Sequence, residues 1–268
     1  MDYNIVFNSL VSSLKDAFEK TGAKKAVIGI SGGIDSAAAC ACAVKALGND
    51  NVLGYYMPYK TSSEESLIDA KKLSQSLDFK LEIIDITKMA DAFIEGKDNI
   101  TPLRKGNIMA RCRMICLFDK AAEHSGIVIG TSNRTELLLG YGTWYGDTAS
   151  SINALGELYK REVYGISRIS DIPESIITKA PTADLWQGQT DEAELGYTYE
   201  LLDNMLYDIE QNNMTKDELY KKYNQNDVDN IIKRVIRNSF KRSTPFICES
   251  KIDNRNKINE NQFLKLEK

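Results

Sequence analysis

The sequence predicts an α/β fold in which a parallel β-sheet carries helices on both faces. Short apolar runs alternate with helical segments through the first half of the chain, and such alternation is typical of βαβ units. The chain has 268 residues, of which 43% are hydrophobic and 27% are charged, which is enough for one sizeable core. We therefore expect one domain over residues 1–248 and a polar tail at 249–268.

The strands are predicted from short apolar runs bounded by turn signals. AVIGI is apolar, NVLGYYMP ends at a proline, FKLEIID alternates apolar and polar residues, and GIVIGT is a fourth run. These runs place four strands at 26–30, 51–58, 79–85 and 126–131.

The helices of the first half are predicted from amphipathic spacing and from capping residues. The N-terminal segment has Ile5, Leu10, Leu14 and Phe18 roughly on one face, as in an amphipathic helix. SAAACACAVKAL is alanine-rich and ends before Gly48, a usual stop signal. SSEESLIDAKKLSQSL opens with serine and has glutamate three positions on, which is a helix-start signature. Further helices are thus predicted at 36–47, 62–77 and 101–125, with Gly106 as a candidate break in the last.

The composition changes after residue 131, where the chain becomes rich in glycine, serine, threonine and aromatic residues. A long loop inside a compact domain is usually functional or disordered, and the aromatic content of this one favours a functional loop. The tail ESKIDNRNKINENQFLKLEK is polar and is predicted to be mobile. Helical segments are predicted between loop and tail, at about 160–170, 173–179, 198–211, 215–222 and 227–241.

The composition also excludes several classes of protein. The net charge of −4 argues against a nucleic-acid-binding protein, which usually has a basic excess. The five cysteines have no CxxC spacing and an odd count, so reduced cytosolic thiols are expected in place of a zinc site or a disulfide framework. No signal peptide and no apolar run long enough to span a bilayer is present in the sequence. A cytoplasmic protein without a membrane partner is expected.

The segment VIGISGGIDSAA places a glycine-rich loop directly after the first strand. Ligands of an open parallel sheet bind beyond the carboxyl ends of its strands, near helix N-termini. Gly32 and Gly33 let the backbone approach a ligand closely, and Ser31 and Ser36 offer hydroxyl groups. The loop lacks the lysine of GxxxxGK[ST], and Asp35 would repel phosphate unless a divalent metal ion lay between them. The residues alone support a magnesium-assisted phosphate site and a plain capped helix after a glycine turn equally.

SGGIDS after a strand resembles the pyrophosphate loop of the N-type ATP pyrophosphatases, which cleave ATP between its α and β phosphates. Further motifs occur in order: GNIMARCRM, GTSNRTE, LGYGTWYGD, GELYKREV, APTADLWQGQTDEAELGY and FKRSTP. Together they resemble the ammonia-dependent NAD synthetases over roughly residues 5–246. The resemblance implies a Rossmann-like, adenine nucleotide alpha hydrolase-like fold with a helical C-terminal part.

The reaction implied by the resemblance is the ATP-dependent amidation of nicotinic acid adenine dinucleotide (deamido-NAD) by free ammonia, the last step of NAD biosynthesis. ATP adenylates the nicotinate carboxylate and releases pyrophosphate, and ammonia then attacks the acyl-adenylate to give NAD and AMP. The resemblance also implies a magnesium cofactor and a homodimer, for which the apolar face of the N-terminal helix is one candidate contact. It implies no fused glutaminase domain, so ammonia would come from solution or from a separate protein.

By resemblance, Asp35 and Glu136 are magnesium ligands, and Lys160 supplies the positive charge that the phosphate loop lacks. Lys160 and Asp147 are the expected catalytic residues, with Asp147 near the nicotinate and the ammonia. The residues alone leave plainer alternatives open, since Glu136 could be an exposed acid in a first helical turn, Lys160 a surface charge and Asp147 a turn residue. The ATP site implied by the resemblance comprises Gly29, Ile30, Ser31, Gly32, Gly33, Ile34, Asp35, Ser36, Thr131, Lys160 and Thr182.

The deamido-NAD site implied by the resemblance comprises Arg111, Trp144, Ser151, Phe240 and Lys241. An arginine suits a dinucleotide phosphate through bidentate hydrogen bonds. Three of these positions depart from the better-known bacterial pattern, in which many members have lysine at 144, aspartate at 151 and histidine at 240. The departures indicate that dinucleotide contacts are re-made here, with stacking on Trp144 as one route.

Two other functions are compatible with the loop. A tRNA-thiolating enzyme would share it, but the acidic net charge and the absence of CxxC argue against that function. A non-catalytic ATP-binding sensor could lose Glu136 or Lys160, and the sequence retains both.

Overall fold

The centre of the computed structural model is a parallel β-sheet, as the sequence predicts. The structure describes residues 1–182, 189–243 and 245. Within these residues the strands are β1 (Lys25–Gly29), β2 (Val52–Tyr56), β3 (Lys80–Ile83), β4 (Gly126–Gly130) and β5 (Ile152–Asn153). Their order is β3-β2-β1-β4-β5, and every pairing is parallel. The four predicted strands are confirmed with bounds that shift by up to two residues, and β5 is an addition.

The strand order creates a switch point between β1 and β4. From β1 the chain moves outwards to β2 and β3, and then returns to the other side of β1 as β4. The loops after β1 and β4 therefore leave the sheet in different directions and open a crevice between them, which is where such sheets bind ligands. The glycine-rich loop follows β1, and the segment GTSNRTE begins at the end of β4.

Helices cover both faces of the sheet. In the first half these helices are α1 (Tyr3–Thr21), α2 (Ile34–Leu47), α3 (Glu64–Leu77), α4 (Thr87–Ile94) and α5 (Pro102–Glu123). In the second half they are α6 (Arg134–Leu139), α7 (Lys160–Ser167), α8 (Glu174–Ile177), α9 (Asp191–Leu195), α10 (Tyr199–Glu210), α11 (Lys216–Lys222) and α12 (Gln225–Arg237).

Three apolar clusters fix the layers of the molecule. One buries residues of β1 with residues of α1, α2, α7 and α8. A second packs the other face of the sheet against α4 and α5. The third joins α6 to the helices α9–α12, so the C-terminal helices form a layer with its own core. The α/β fold with helices on both faces and a helical C-terminal part is therefore confirmed.

The apolar face of α1 is occupied by the chain's own core. Leu14 and Phe18 are buried in the first cluster, and Leu10 packs against it. These three residues are therefore not available as a dimer contact, whereas Ile5 at the start of the same face is 68% exposed.

Other differences from the predicted elements have local causes. The predicted break at Gly106 is wrong, because α5 runs through that residue, which is buried within the helix. The predicted loop after residue 131 is partly regular, since it contains α6 and β5. The helix predicted at 227–241 ends at Arg237 and is followed by a 3₁₀ turn over Ser239–Arg242.

The remaining sequence predictions concern thiols, membranes and the tail. Cys40, Cys42, Cys112 and Cys116 are free thiols, and burial raises the pKa of Cys42 to about 12. Among the residues that the structure describes, no helix has the length and apolar character needed to cross a bilayer. The predicted tail at 249–268 lies outside the described residues.

Candidate active site

The glycine-rich loop forms a tight turn between β1 and α2. Gly32 has φ +80°, in the left-handed region that favours glycine. Ser36 Oγ donates to the carbonyl of Gly33 at 2.9 Å and accepts from the Ser31 N–H at 3.2 Å. Gly33 occupies the N-cap position of α2 without a side-chain cap. The first-turn amides of α2 can therefore face an anion.

A buried lysine joins the loop to the segment after β4. Lys160 begins α7 and is 1% exposed, and its Nζ lies 2.5 Å from Asp35 Oδ2 and 3.6 Å from Glu136 Oε1. Burial alone would lower the pKa of Lys160, but the charges of Asp35 and Glu136 outweigh it and raise that pKa. Because Lys160 is buried, the alternative that it is a surface charge is wrong. A buried ammonium group persists only when it is paired, and here its partners are Asp35 and Glu136.

Glu136 serves two contacts at once. Its Oε2 accepts from the Asn133 N–H at 3.2 Å, and its own N–H donates to Asn133 Oδ1 at 3.0 Å, which forms a capping box at the start of α6. Its Oε1 faces Lys160. Burial and repulsion from Asp35 raise the pKa of Glu136 to about 8. Asn133 also donates through Nδ2 to Asp35 Oδ1 at 2.9 Å, so one asparagine fixes both carboxylates.

Three residues that the sequence did not single out complete this cluster. Asp191 is buried and accepts from Tyr141 Oη at 3.0 Å and from Tyr199 Oη at 3.2 Å. Lys160 Nζ lies 4.8 Å from the centre of the Tyr199 ring. Burial raises the pKa of Asp191, and the charge of Lys160 opposes this rise. The motif containing Asp191 is visible in the sequence, but nothing local indicates that its carboxylate lies in the same cavity as Lys160.

A buried aspartate of α10 supports the cluster from behind. Asp203 Oδ1 accepts from Thr135 Oγ1 at 2.5 Å, and Asp203 Oδ2 accepts from the Arg161 N–H at 2.7 Å. Thr135 Oγ1 in turn accepts from the Lys160 N–H at 3.2 Å. Asp203 therefore ties the start of α7 to α6, so the positions of Lys160 and Glu136 depend on it.

Replacing this aspartate should destabilise the fold. Asp203→Ala leaves buried donors without acceptors, and each costs about 1–3 kcal/mol. We expect the free energy of unfolding to fall by about 2–4 kcal/mol in urea denaturation. Asp16→Ala, on the exposed side of α1, is the control and should change it by less than about 0.5 kcal/mol. Equal effects of the two changes would contradict the anchoring role.

Four of the five predicted substrate residues, namely Arg111, Trp144, Phe240 and Lys241, meet around the loop at 140–147. Lys241 Nζ donates to the carbonyls of Gly140 and Gly142 at 2.7 and 2.8 Å. Arg111 Nη2 donates to the carbonyl of Trp144 at 3.1 Å, and the rings of Trp144 and Phe240 lie edge to face at 5.1 Å.

Asp147 belongs to the same loop, whereas Ser151 stands apart. Asp147 is exposed, and its Oδ1 accepts from the Thr143 N–H at 2.8 Å. Ser151 is exposed and donates its N–H to the Val128 carbonyl at 2.9 Å. The contacts of the described residues do not connect Ser151 to the aromatic cluster.

Tyr141 links this loop to the carboxylate–lysine cluster. Its hydroxyl contacts Asp191 Oδ1 and Glu194 Oε2, the latter at 2.6 Å. Because Trp144 and Asp147 follow within six residues, the substrate loop starts at the wall of the lysine cluster. The loop at 140–147 and the cluster around Lys160 are thus neighbours in the fold.

The other predicted ATP positions lie at the same edge of the sheet. Gly29 ends β1, and Thr131 directly follows β4. Ile30 and Ile34 are buried in the core, so contacts of theirs with ATP would come mainly from backbone atoms. Thr182 lines a cavity together with the glycine-rich loop.

The carboxylates of Asp35 and Glu136 fit a metal ion that binds together with a nucleotide. Among the described residues, no group of three or more histidine, cysteine, aspartate or glutamate side chains could hold a metal ion. Asp35 and Glu136 nevertheless converge on one ammonium group. Magnesium takes one or two carboxylates and completes its shell with phosphate oxygens and water. This pair suits a magnesium–nucleotide complex better than a resident metal ion.

The fold and the site together define a nucleotide-binding α/β protein of the ATP pyrophosphatase type. Its phosphate loop lies at the switch point of the sheet, and its lysine comes from a distant helix. The chain belongs to the NAD synthase family, whose model matches residues 6–245.

Individual relatives agree with this assignment. An NH(3)-dependent NAD(+) synthetase of Fusobacterium nucleatum is 44% identical over 254 residues, which cover 94% of this chain and 98% of that protein. The solved NH3-dependent NAD synthetase of Campylobacter jejuni, in complex with the nitrate ion, matches with TM-score 0.79 and 33% identity over 93% of this chain and all of that one. The solved NMN synthetase of Francisella tularensis matches with TM-score 0.82 and 34% identity over the same shares.

Proposed function

We propose that this chain is an ammonia-dependent NAD synthetase, which amidates deamido-NAD with free ammonia and converts ATP to AMP and pyrophosphate. The observation that carries the proposal is the buried Lys160 between Asp35 and Glu136, directly beside the glycine-rich loop. Membership of the NAD synthase family and the names of its relatives support the substrates.

The residues divide the chemistry into two steps. In the first, an oxygen of the nicotinate carboxylate attacks the α-phosphorus of ATP, and the bond to the β-phosphate breaks. The loop amides and Lys160 would bind the phosphates and the departing pyrophosphate, because these donors are fixed before the reaction. Asp35 and Glu136 would hold magnesium, which supplies positive charge at the phosphates.

In the second step the nitrogen of ammonia attacks the carbonyl carbon of the acyl-adenylate. The carbon–oxygen bond to AMP breaks, and the nitrogen loses a proton. Asp147 is exposed on the substrate loop and would bind ammonium or accept that proton.

A direct assay tests the reaction. The protein is incubated with ATP, magnesium, ammonium and deamido-NAD, and the nucleotides are separated by chromatography. NAD, AMP and pyrophosphate are expected in equal amounts. ADP in place of AMP would refute the pyrophosphate-loop assignment, and AMP without NAD would refute the substrate.

A mononucleotide acceptor is the second candidate. The fold is similar to an NMN synthetase of Francisella tularensis at TM-score 0.82, and the aromatic Trp144–Phe240 contact departs from the bacterial dinucleotide pattern. A parallel assay with nicotinic acid mononucleotide separates the two. We expect the larger kcat/KM for the dinucleotide.

Trp144 should affect the dinucleotide and not ATP. Stacking of a base on an aromatic side chain is worth about 1–3 kcal/mol, so Trp144→Ala should raise KM for deamido-NAD by about tenfold. KM for ATP should stay within about twofold, since Trp144 contacts Phe240 and Tyr145 and not the phosphate loop. Ile236→Ala, at an exposed position of α12, is the control. A matching rise in KM for ATP would contradict the assignment.

We also propose that the chain forms a homodimer whose interface is the outward face of α5. Ile115 and Phe118 on the outward face of α5 are 51% and 39% exposed. Light scattering should give twice the chain mass of 30.0 kDa, and Ile115→Asp should reduce it to the mass of one chain. Ile5→Asp, at an exposed position of α1, should leave the dimer intact. If Ile5→Asp gave the mass of one chain and Ile115→Asp did not, the interface would lie on α1.

A further inference from the structure

A second lysine lines the cavity of the phosphate loop. Lys179 lies two residues after the end of α8, and this cavity is also lined by Ser31, Gly32 and Lys160. The Lys179 side chain is 16% exposed, so its charge is largely shielded from bulk water. No step described above uses it.

Ser66 places the Lys179 ammonium group close to the loop backbone. Lys179 Nζ donates to Ser66 Oγ at 3.4 Å. The backbone of Ser66 lies directly against Gly32. A methyl group added to Gly32 would come within 2.6 Å of the Ser66 carbonyl oxygen. Only one residue therefore stands between the ammonium group and the glycine turn.

In this structure Asp69 holds Lys179, and it can release Lys179 without becoming isolated. Lys179 Nζ lies 3.2 Å from Asp69 Oδ2, and the Asp69 side chain is 3% exposed. Asp69 Oδ1 also accepts from Ser175 Oγ at 2.9 Å and lies 3.7 Å from Nζ of Lys72, a half-exposed side chain. A buried carboxylate that lost its only partner would be costly, but Asp69 keeps a hydrogen bond and a cation.

The charge of the site calls for another cation. Lys160 faces Asp35 and Glu136, and Asp191 lies close by. Three acidic side chains thus stand near one ammonium group before any phosphate arrives, and the magnesium proposed above would offset part of their charge. Binding of pyrophosphate adds further negative charge, and Lys160 is already engaged by carboxylates.

We propose that Lys179 is a second phosphate-binding residue, which turns from Asp69 to the pyrophosphate portion of ATP and holds it as it departs. The proposal rests on the pyrophosphate chemistry proposed above. A charge-assisted hydrogen bond from lysine to phosphate suits this role, and Lys72 and Ser175 keep Asp69 satisfied after the move.

Binding of magnesium pyrophosphate to the full chain, measured by calorimetry, tests the proposal. Lys179→Met should weaken binding by about tenfold, as expected for the loss of one charge-assisted bond. Lys179→Gln should do the same, although it can still bond to Asp69. Lys71→Met, at an exposed position of α3, is the matched control and should stay within about twofold of the unchanged chain. Asp69→Asn should bind pyrophosphate at least as tightly as the unchanged chain, because it removes the nearer of the two carboxylates at Lys179 and leaves the exposed Glu65, whose Oε2 lies 4.0 Å away.

A purely structural tie between α3 and α8 predicts a different pattern. In that case Lys179→Met and Asp69→Asn would lower the melting temperature equally and leave pyrophosphate affinity unchanged, which would overturn the proposal. The same preparations are assayed for NAD. If the unchanged chain makes NAD while Lys179→Met and Lys179→Gln keep full pyrophosphate affinity, only the role of Lys179 fails. If the chain makes no NAD but shows the expected affinities, only the proposed function fails.

Discussion

Lys160→Met should reduce NAD formation by about a thousandfold or more. Lys160 is the largely desolvated cation between Asp35 and Glu136, and it is placed to meet the phosphates beside the loop. Loss of a single fixed donor at developing charge already costs about 10²–10³ in kcat. This substitution also leaves the two acidic side chains without the ammonium group that lies between them.

The same substitution should change the pH dependence of stability. The pKa of Glu136 is already raised to about 8 in the folded protein by burial and by Asp35, while Lys160 opposes this rise. Between the ordinary pKa of glutamate and about 8 the folded state binds more protons than the unfolded state. Stability contributed by Glu136 is therefore present at low pH and is lost as pH rises through this window.

Without Lys160 the folding stability should fall more steeply as pH rises. The folded pKa of Glu136 should rise further, so Lys160→Met should be clearly more stable at pH 6 than at pH 8 in urea denaturation. Removal of one partner of a buried ion pair costs about 3–5 kcal/mol, and most of this should appear at pH 8. Lys24→Met, at an exposed position before β1, is the control for loss of charge alone. A variant with unchanged stability at both pH values would show that Lys160 is not the buried counter-ion of this site.

The parts of the fold that the sequence predicts are those with strong local patterns. The strands around 26–30 and 126–131 are apolar runs bounded by turns, and the glycine-rich loop identifies itself by composition. Helix α6 has six residues and β5 has two, which is too short for a period of 3.6 or 2 to be recognised. Gly106 was a misleading signal, because packing of α5 against the sheet overrides the low helix propensity of glycine.

Of the candidate active site, only the residues that belong to recognisable sequence motifs could be predicted. The resemblance brought Asp35, Glu136 and Lys160 together, although Lys160 lies 125 positions after Asp35. It assigned no role to Asp191 or Tyr199, whose contacts depend on how the C-terminal helices fold back over the sheet. Such contacts follow from topology and have no local signature in the sequence.

Asp35→Asn should reduce kcat by about a hundredfold to a thousandfold and raise the magnesium concentration needed for half-maximal activity. Asp35 lies in the first turn of α2, but its oxygens bond to Lys160 and Asn133 and not to backbone amides of that helix. The alternative of a plain helix cap therefore has no support in the geometry. Asparagine keeps the shape but removes the charge that Lys160 and a magnesium ion require.

The neighbouring acid gives an informative comparison. Glu136→Gln can keep the hydrogen bond to the Asn133 N–H, so its effect on stability should be small while its need for magnesium still rises. Glu64→Gln changes an exposed acid that is likewise in the first turn of a helix, α3, and should leave both kcat and the magnesium requirement unchanged. If Asp35→Asn lowers stability without changing the magnesium requirement, Asp35 only holds Lys160 in place. If stability and the magnesium requirement both change, Asp35 has a chemical role in addition to holding Lys160. Its negative charge would then be balanced by Lys160 and by the magnesium ion of the substrate complex.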